Sequence, residues 1–321
     1  MRELIITENE EGQRLDRFLG KYMKNAGKGF VEKVIRKKYV KVNGSKGRPA
    51  NMLVKGDRLE IYLSEETLGK FVGEKTWNPP SLDRSFVDTL PIAYEDEELL
   101  VWDKPSGVLT HGAPDGVVET ATAYLIMTGV YDPATERTFA PSSTNRLDKN
   151  TSGLVFIGKT NRMRMELNEK WRLDQVDKFY TTLIRGDLKQ ERRLDGYLTK
   201  DEGKNQSFIH PEKVPGSKEV TTIVRPIRGN ETYTLVEVAL LTGRSHQIRA
   251  HLQSIGKPVV GDPKYGEIKT NQQFRDQYGL NRQFLHNHLT VIHDYKKGQD
   301  LRVSSPLPKD LQDIVQALYG R

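Results

Sequence analysis

Four consecutive bulky apolar residues, Leu154, Val155, Phe156 and Ile157, constrain this chain more than any other segment. A strand without polar alternation has no solvent face, so the run calls for a strand covered on both sides. Arg146, Leu147 and Asp148 stand ahead of it, and Asn150, Thr151, Ser152 and Gly153 form a turn between the two. Asp148 is thereby presented at the mouth of a buried strand. A carboxylate there is either a structural turn-former or a catalytic group on a rigid support, and the segment alone leaves both readings open.

The chain has 321 residues, enough for two domains with substantial cores. It contains no cysteine, which excludes disulfides, thiolate nucleophiles and cysteine-ligated zinc and fits the cytoplasm. The acidic start, MRELIITENEEGQ, lacks an apolar signal core, and no apolar run is long enough to cross a bilayer. The expectation is a soluble cytoplasmic protein without a membrane partner. No apolar heptad suggests an assembly surface, which points to a monomer.

Net charge is +7 but unevenly spread: residues 12–62 carry 14 Lys and Arg against 4 Asp and Glu. Within them Leu15, Phe18, Leu19 and Tyr22 recur at helical spacing, and Phe30, Val31, Val34 and Ile35 mark a second short helix. Val40 and Val42, then Leu59, Ile61 and Leu63, alternate as strands beside the turn pairs Asn43-Gly44 and Gly56-Asp57. A compact αα-β unit over residues 1–63 follows, with Arg14, Arg17, Arg36, Lys37 and Lys38 as its candidate RNA contacts. Such a surface binds phosphates without sequence readout and with steep salt dependence. The segments GQRLDRFL, YVKVNG and VKGDRLEIYL resemble the small RNA-binding domain named after ribosomal protein S-four. Residues 64–90, with Glu65, Glu66, Gly69, Gly73, Pro79 and Pro80, read as a polar linker to a second domain over residues 91–321.

In the second domain strand and helix signals mix without regular βαβ alternation or internal repeat, which predicts an α+β fold with a mainly antiparallel sheet. A strand running from Lys178, Phe179 and Tyr180 to Ile184, Arg185 and Gly186 sends Lys178, Tyr180 and Thr182 to one side. Ser245 is a plausible N-cap for a helix that turns Ile248, Leu252 and Ile255 inward before Gly256 closes it. Arg249 then lies off the apolar stripe, free to meet a carboxylate or phosphate. GDPKYG is a glycine-bounded loop carrying Asp262 and Tyr265. Taken singly, each has an ordinary structural explanation. His286 and His288 lack a third ligand at metal-binding spacing, and His246 with His251 lack the i,i+4 pairing of a helical zinc site, so all read as structural and no metal is assigned. The chain has neither a GxxxxGK loop nor a dinucleotide fingerprint, which argues against NTPases and nicotinamide enzymes.

Together and in this order, NRLDKNTSGL, KFYTTLIRG, TGRSHQIRAHL and GDPKYG resemble the RluA family of pseudouridine synthases, and VWDKPSGVLTHG resembles the family's entry hairpin. The resemblance implies an RNA uridine isomerase that detaches uracil at nitrogen one and reattaches it through carbon five, with no metal and no cofactor. It implies that Asp148 acts on the ribose, that Arg249 pairs with Asp148, and that Tyr180 packs on the target base and assists proton removal from carbon five. It implies too that Arg146 fills the space left by the flipped nucleotide. Asn145 stands where the family usually has His, which touches substrate details rather than the reaction. Large-subunit ribosomal RNA is the favoured partner, with transfer RNA the alternative. A catalytically idle RNA-binding assembly factor on the same fold is the rival reading.

Overall fold

The computed structural model describes residues 1–72 and 91–320. Near the start, α1 (Leu15–Tyr22) and α2 (Lys28–Arg36) bury the expected stripes, Leu15, Phe18, Leu19 and Tyr22 with Val31, Val34 and Ile35, while Phe30 is partly buried. They pack on a four-stranded antiparallel sheet of β1 (Arg2–Ile5), β2 (Val40–Val42), β3 (Ser45–Lys46) and β4 (Arg58–Ile61), in the order β1-β4-β2-β3. Asn43 and Gly44 both have positive φ, 52° and 77°, as the tight β2–β3 hairpin requires. Three elements differ from expectation: strands β1 and β3 are additional to the two expected, and residues 65–72 of the supposed linker form α3 (Glu65–Val72). Leu68, Phe71 and Val72 pack on the N-terminal core at i, i+3 and i+4, and Glu65 and Glu66 sit in the first turn, where the helix dipole favours acids. The remainder of that linker, residues 73–90, lies outside the described residues.

The larger unit is α+β. Its sheet runs β11 (Gln206–His210), β10 (Arg192–Asp201), β12 (Lys218–Gly229), β13 (Tyr233–Leu240), β9 (Val176–Arg185), β14 (Leu285–Lys296), β8 (Ser152–Gly158), β6 (Leu99–Lys104), β5 (Ile92–Glu95), with β15 (Gln299–Ser304) on β14 and β7 (Ser142–Ser143) on β8. Its pairings are antiparallel except β8 with β14. Helices α4 (Val117–Met127), α5 (Asn161–Arg172), α6 (Gln247–Ser254), α7 (Ile268–Tyr278) and α8 (Lys309–Tyr319) flank it. Among the described residues no helix is long and apolar enough to cross a membrane.

The apolar run occupies β8, whose seven residues are all buried. Leu154 and Phe156 pack on one face with Met163, Leu167 and Ile292, and Val155 and Ile157 on the other with Trp102, Val117 and Leu252. At about 1.5–3 kcal/mol per fully buried side chain, these four supply a large part of what fixes the strand. The strand begins at Ser152, earlier than the apolar run, and Gly153 has φ 119° where β8 meets β14. A β-carbon there would lie 2.8 Å from the backbone nitrogen of Asn287.

The two units touch through the segment around a 3₁₀ turn at Glu8–Glu10. Arg137 Nε donates to the fully buried Glu10 at 2.7 Å, Asn9 bonds Glu136 at 2.6 Å, and Gln13 Nε2 donates to Thr138 at 3.0 Å.

Gly153→Ala is expected to cost roughly 3 kcal/mol or more, because the left-handed region and the backbone contact act together; a urea midpoint equal to that of the native chain would refute the clash. Acid stability carries a second signature. His251 and His286 are buried, and burial pushes each from 6.5 to about 4. Their folded pKa lies below the unfolded one, so the unfolded chain binds the extra protons between these values. Their contribution is present above pH 6.5 and lost as the pH falls towards 4, by roughly 3 kcal/mol per histidine at most. Urea midpoints should drop between pH 7.5 and 5, and by less in His286→Asn.

Candidate active site

Asp148 lies on the turn before β8, where Thr151 N donates to the Asp148 carbonyl at 3.0 Å. The turn is stitched to the chain leaving β6. The buried Lys104 ammonium donates to the carbonyls of Pro105, Val108 and Lys149 at 3.0, 2.9 and 2.9 Å. Ser106 Oγ donates to the Asn150 carbonyl at 3.1 Å, and Thr110 Oγ1 to that of Leu147 at 3.1 Å. Burial brings Lys104 down to about 7, partly offset by the charge of Asp148. Its three donors are used up on carbonyls, so the Lys-Pro-Ser-Gly segment acts as a clamp on the turn that carries Asp148.

Arg249, on α6 and 5% exposed, joins two carboxylates. Its Nε and Nη2 donate to Asp262 at 2.6 and 2.9 Å, and its Nη1 to Asp148 Oδ2 at 2.8 Å. Burial alone would lower the guanidinium pKa, but the bonds to Asp262 and Asp148 outweigh it and the pKa is raised. Asp262 is itself fully buried and also accepts from Lys264 N and Tyr265 N at 2.9 and 3.0 Å. Asp148 differs in keeping its side chain 28% exposed. Tyr180 on β9 is buried beside it, and burial and then the Asp148 charge raise its pKa. At neutral pH it offers a ring face and a phenol proton rather than a phenolate base.

These residues open on a cleft of about 1060 Å³, lined by eight Lys and Arg residues against two carboxylates, Asp148 and Asp174. An anionic ligand is favoured over any other charge type by such a wall. Residues 98–254 match the RNA pseudouridylate synthase family. The chain is 32% identical to ribosomal large subunit pseudouridine synthase C of Pasteurella multocida over 98% of its own length and 93% of the relative's. The chain belongs to the RNA pseudouridylate synthase family. It is 28% identical to the uncharacterized RNA pseudouridine synthase YlyB of Bacillus subtilis over 99% of both chains. The structure of human RNA pseudouridylate synthase domain containing 4 shares its fold, with TM-score 0.59 and 19% identity over 73% of this chain and 95% of that one. As a pseudouridine synthase the protein is an isomerase acting on RNA uridine.

In this synthase Arg146 is exposed on the cleft wall and makes no hydrogen bond or ion pair with the described residues. Asn145 has a structural occupation: its Nδ2 donates to the Leu154 carbonyl and its Oδ1 accepts from Phe156 N, both at 2.9 Å. The amide pairs with β8 as a peptide group would. Lys178 and Tyr180 share the cleft as strand alternation predicts, with the Lys178 ammonium 5.5 Å from the Trp171 ring centre. Arg14, Arg17, Arg36, Lys37 and Lys38 are exposed on the N-terminal unit and do not line the cleft, and Arg14 pairs with Asp16 at 2.7 Å. His286 bonds Ser152 and the Ser305 carbonyl, while His288 approaches Glu237 at 3.3 Å.

Two predictions made from the residues need changing. The residue that precedes α6 and caps it is His246 in the left-handed region, φ 57°, not Ser245. His246 is a cleft residue, with Nε2 3.7 Å from Asp148 Oδ2. Spacing had no means of showing this, because the contact joins chain segments about a hundred residues apart. Removal of one carboxylate should expose the balance at Arg249: Asp262→Ala is expected to destabilise the fold by about 3–5 kcal/mol by leaving a buried cation half paired. A chemical-denaturation shift below 1 kcal/mol would contradict it.

Proposed function

We propose that this synthase converts a uridine of large-subunit ribosomal RNA into pseudouridine in the cytoplasm, acting as a monomer, with Asp148 as the group that attacks or deprotonates the ribose. The carrying observation is the Asp148 carboxylate itself: Arg249 holds Oδ2 at 2.8 Å, and Oδ1 has no protein hydrogen bond among the described residues. The guanidinium fixes one carboxylate oxygen, and the other, partly exposed in a basic cleft, can meet a sugar. Relatives named as large-subunit synthases at 32% identity support the choice of RNA.

Tyr180 gives the flipped base a face to stack on, replacing neighbours whose loss costs roughly a few kcal/mol. Burial raises the pKa of its phenol, and beyond holding and orienting the ring it is the candidate for assisting proton removal from carbon five. Arg146, without a partner among the described residues, enters the space the nucleotide leaves. Arg17, Arg36, Lys37 and Lys38 supply phosphate contacts remote from the chemistry, and Arg14 joins them by exchanging Asp16 for a phosphate.

Asp148→Asn should bind RNA within a few-fold of the native protein yet form pseudouridine at least about 10³-fold more slowly. Carbodiimide-dependent primer-extension stops on ribosomal RNA measure the product. Undiminished stops in the variant would refute the assignment, and free uracil by chromatography would show bond cleavage in place of isomerisation.

A further inference from the structure

His246 is hydrogen-bonded to Tyr265 on one side and faces Asp148 on the other, with Nε2 3.7 Å from Oδ2, longer than a hydrogen bond. Tyr265 is 1% exposed, and its Oη accepts the backbone N–H of Ser207 at 2.6 Å. A buried hydroxyl proton needs an acceptor, and His246 Nδ1 lies 2.9 Å away. With Nδ1 accepting, the proton of the neutral imidazole must be on Nε2, the nitrogen 3.7 Å from Asp148 Oδ2. That oxygen is the one held by Arg249 at 2.8 Å, so His246 faces the same Oδ2 and leaves Oδ1 for the ribose.

The supporting geometry is built rather than incidental. The Arg249 guanidinium lies 4.9 Å from the Tyr265 ring centre, so one tyrosine orders both partners of Asp148. The imidazole makes no cap bond to α6, although His246 is the capping residue. Asp148, Arg249, Lys264, Asp262 and Tyr265 are the charged and titratable groups that face it. Burial, more than any of these, pushes it below the usual histidine range. At neutral pH it offers Asp148 a fixed N–H dipole and no second full positive charge.

We infer that His246 is a positioning residue for Asp148: Tyr265 fixes its tautomer, and the Nε2 proton holds Oδ2 as the carboxylate closes on the ribose. The inference rests on Asp148 being the reacting group.

Two substitutions separate this role from a purely structural one. Asn keeps the Nδ1-side acceptor for Tyr265 and tolerates positive φ, but it does not reach Asp148. Gln presents an N–H at the Nε2 position and suits the left-handed backbone less well. Single-turnover pseudouridine formation should slow about 10- to 100-fold in His246→Asn, as expected for a misplaced reacting group, with RNA affinity unchanged. His246→Gln should recover most of that loss. The opposite order, Asn the better variant, would overturn the proposal. Nitrogen-15 NMR of the native protein should show His246 Nδ1 unprotonated and Nε2 protonated, and Tyr265→Phe should mix the two tautomers. A native Nδ1–H form would also overturn it. An active Asp148→Asn variant would instead remove the reading of Asp148, whereas the tautomer measured by NMR stands independently of turnover.

Discussion

Arg249 is a buried cation that can exist in this fold only between Asp262 and Asp148. Taking a guanidinium out of water costs several kcal/mol, and its attraction to carboxylates repays that only with good geometry. The geometry is supplied by three separate chain segments: the turn before β8, the helix α6 and the glycine-bounded loop after it. None of the three can shift without leaving a charge unpaired. Asp262 is fully buried and saturated with donors, while Asp148 is partly exposed and is the end for which we propose the chemistry. The difference in exposure, more than any difference in residue type, distinguishes the two carboxylates.

Rigidity behind Asp148 comes from the opposite direction. Strand β8 has no solvent face, and Lys104 binds three carbonyls around the turn that precedes it. A lysine suits this place because an ammonium has three donors and no acceptor. Burial lowers its pKa to about 7, yet the third donor exists only in the ammonium, so the three-carbonyl clamp depends on the proton. Asn145 adds to the same support through two bonds to β8. With both its polar ends committed, this amide contributes to the fold of the turn and has little left with which to select RNA.

Much of this was legible in the residues. The continuous apolar run of β8 and the helical stripes of α1 and α2 are local patterns, and they appear in the structure as read. Asp148, Arg249 and Tyr180 were legible through long motifs, and they do converge. What escaped is tertiary in origin. Strand β1 is four residues long and turns one clearly apolar side chain, Leu4, into the core, too little for alternation to register. The stripe in α3 was hidden by Gly69 and two glutamates that in fact favour a helix start. His246 looked structural because neither its left-handed backbone nor its approach to Asp148 leaves a mark on spacing. Asp262 was seen as a loop residue, but its two bonds to Arg249 depend on how that loop folds back.

The contact between the two units bears on how RNA reaches the cleft. Glu10 is fully buried and held by Arg137, so the basic N-terminal helices have a set position relative to the sheet. Helix α5 links this contact to the cleft: Asn161 N donates to Asn9 Oδ1 at 3.0 Å at one end, and Trp171 and Arg172 line the cleft at the other. Twelve helical residues span roughly 18 Å. An RNA that engages the basic helices and Asp148 together has to cover at least a comparable distance, which is several nucleotides of backbone. On the proposed phosphate contacts of the N-terminal helices, affinity and chemistry are separated along the molecule, and a short single-stranded fragment around the uridine would forgo those contacts.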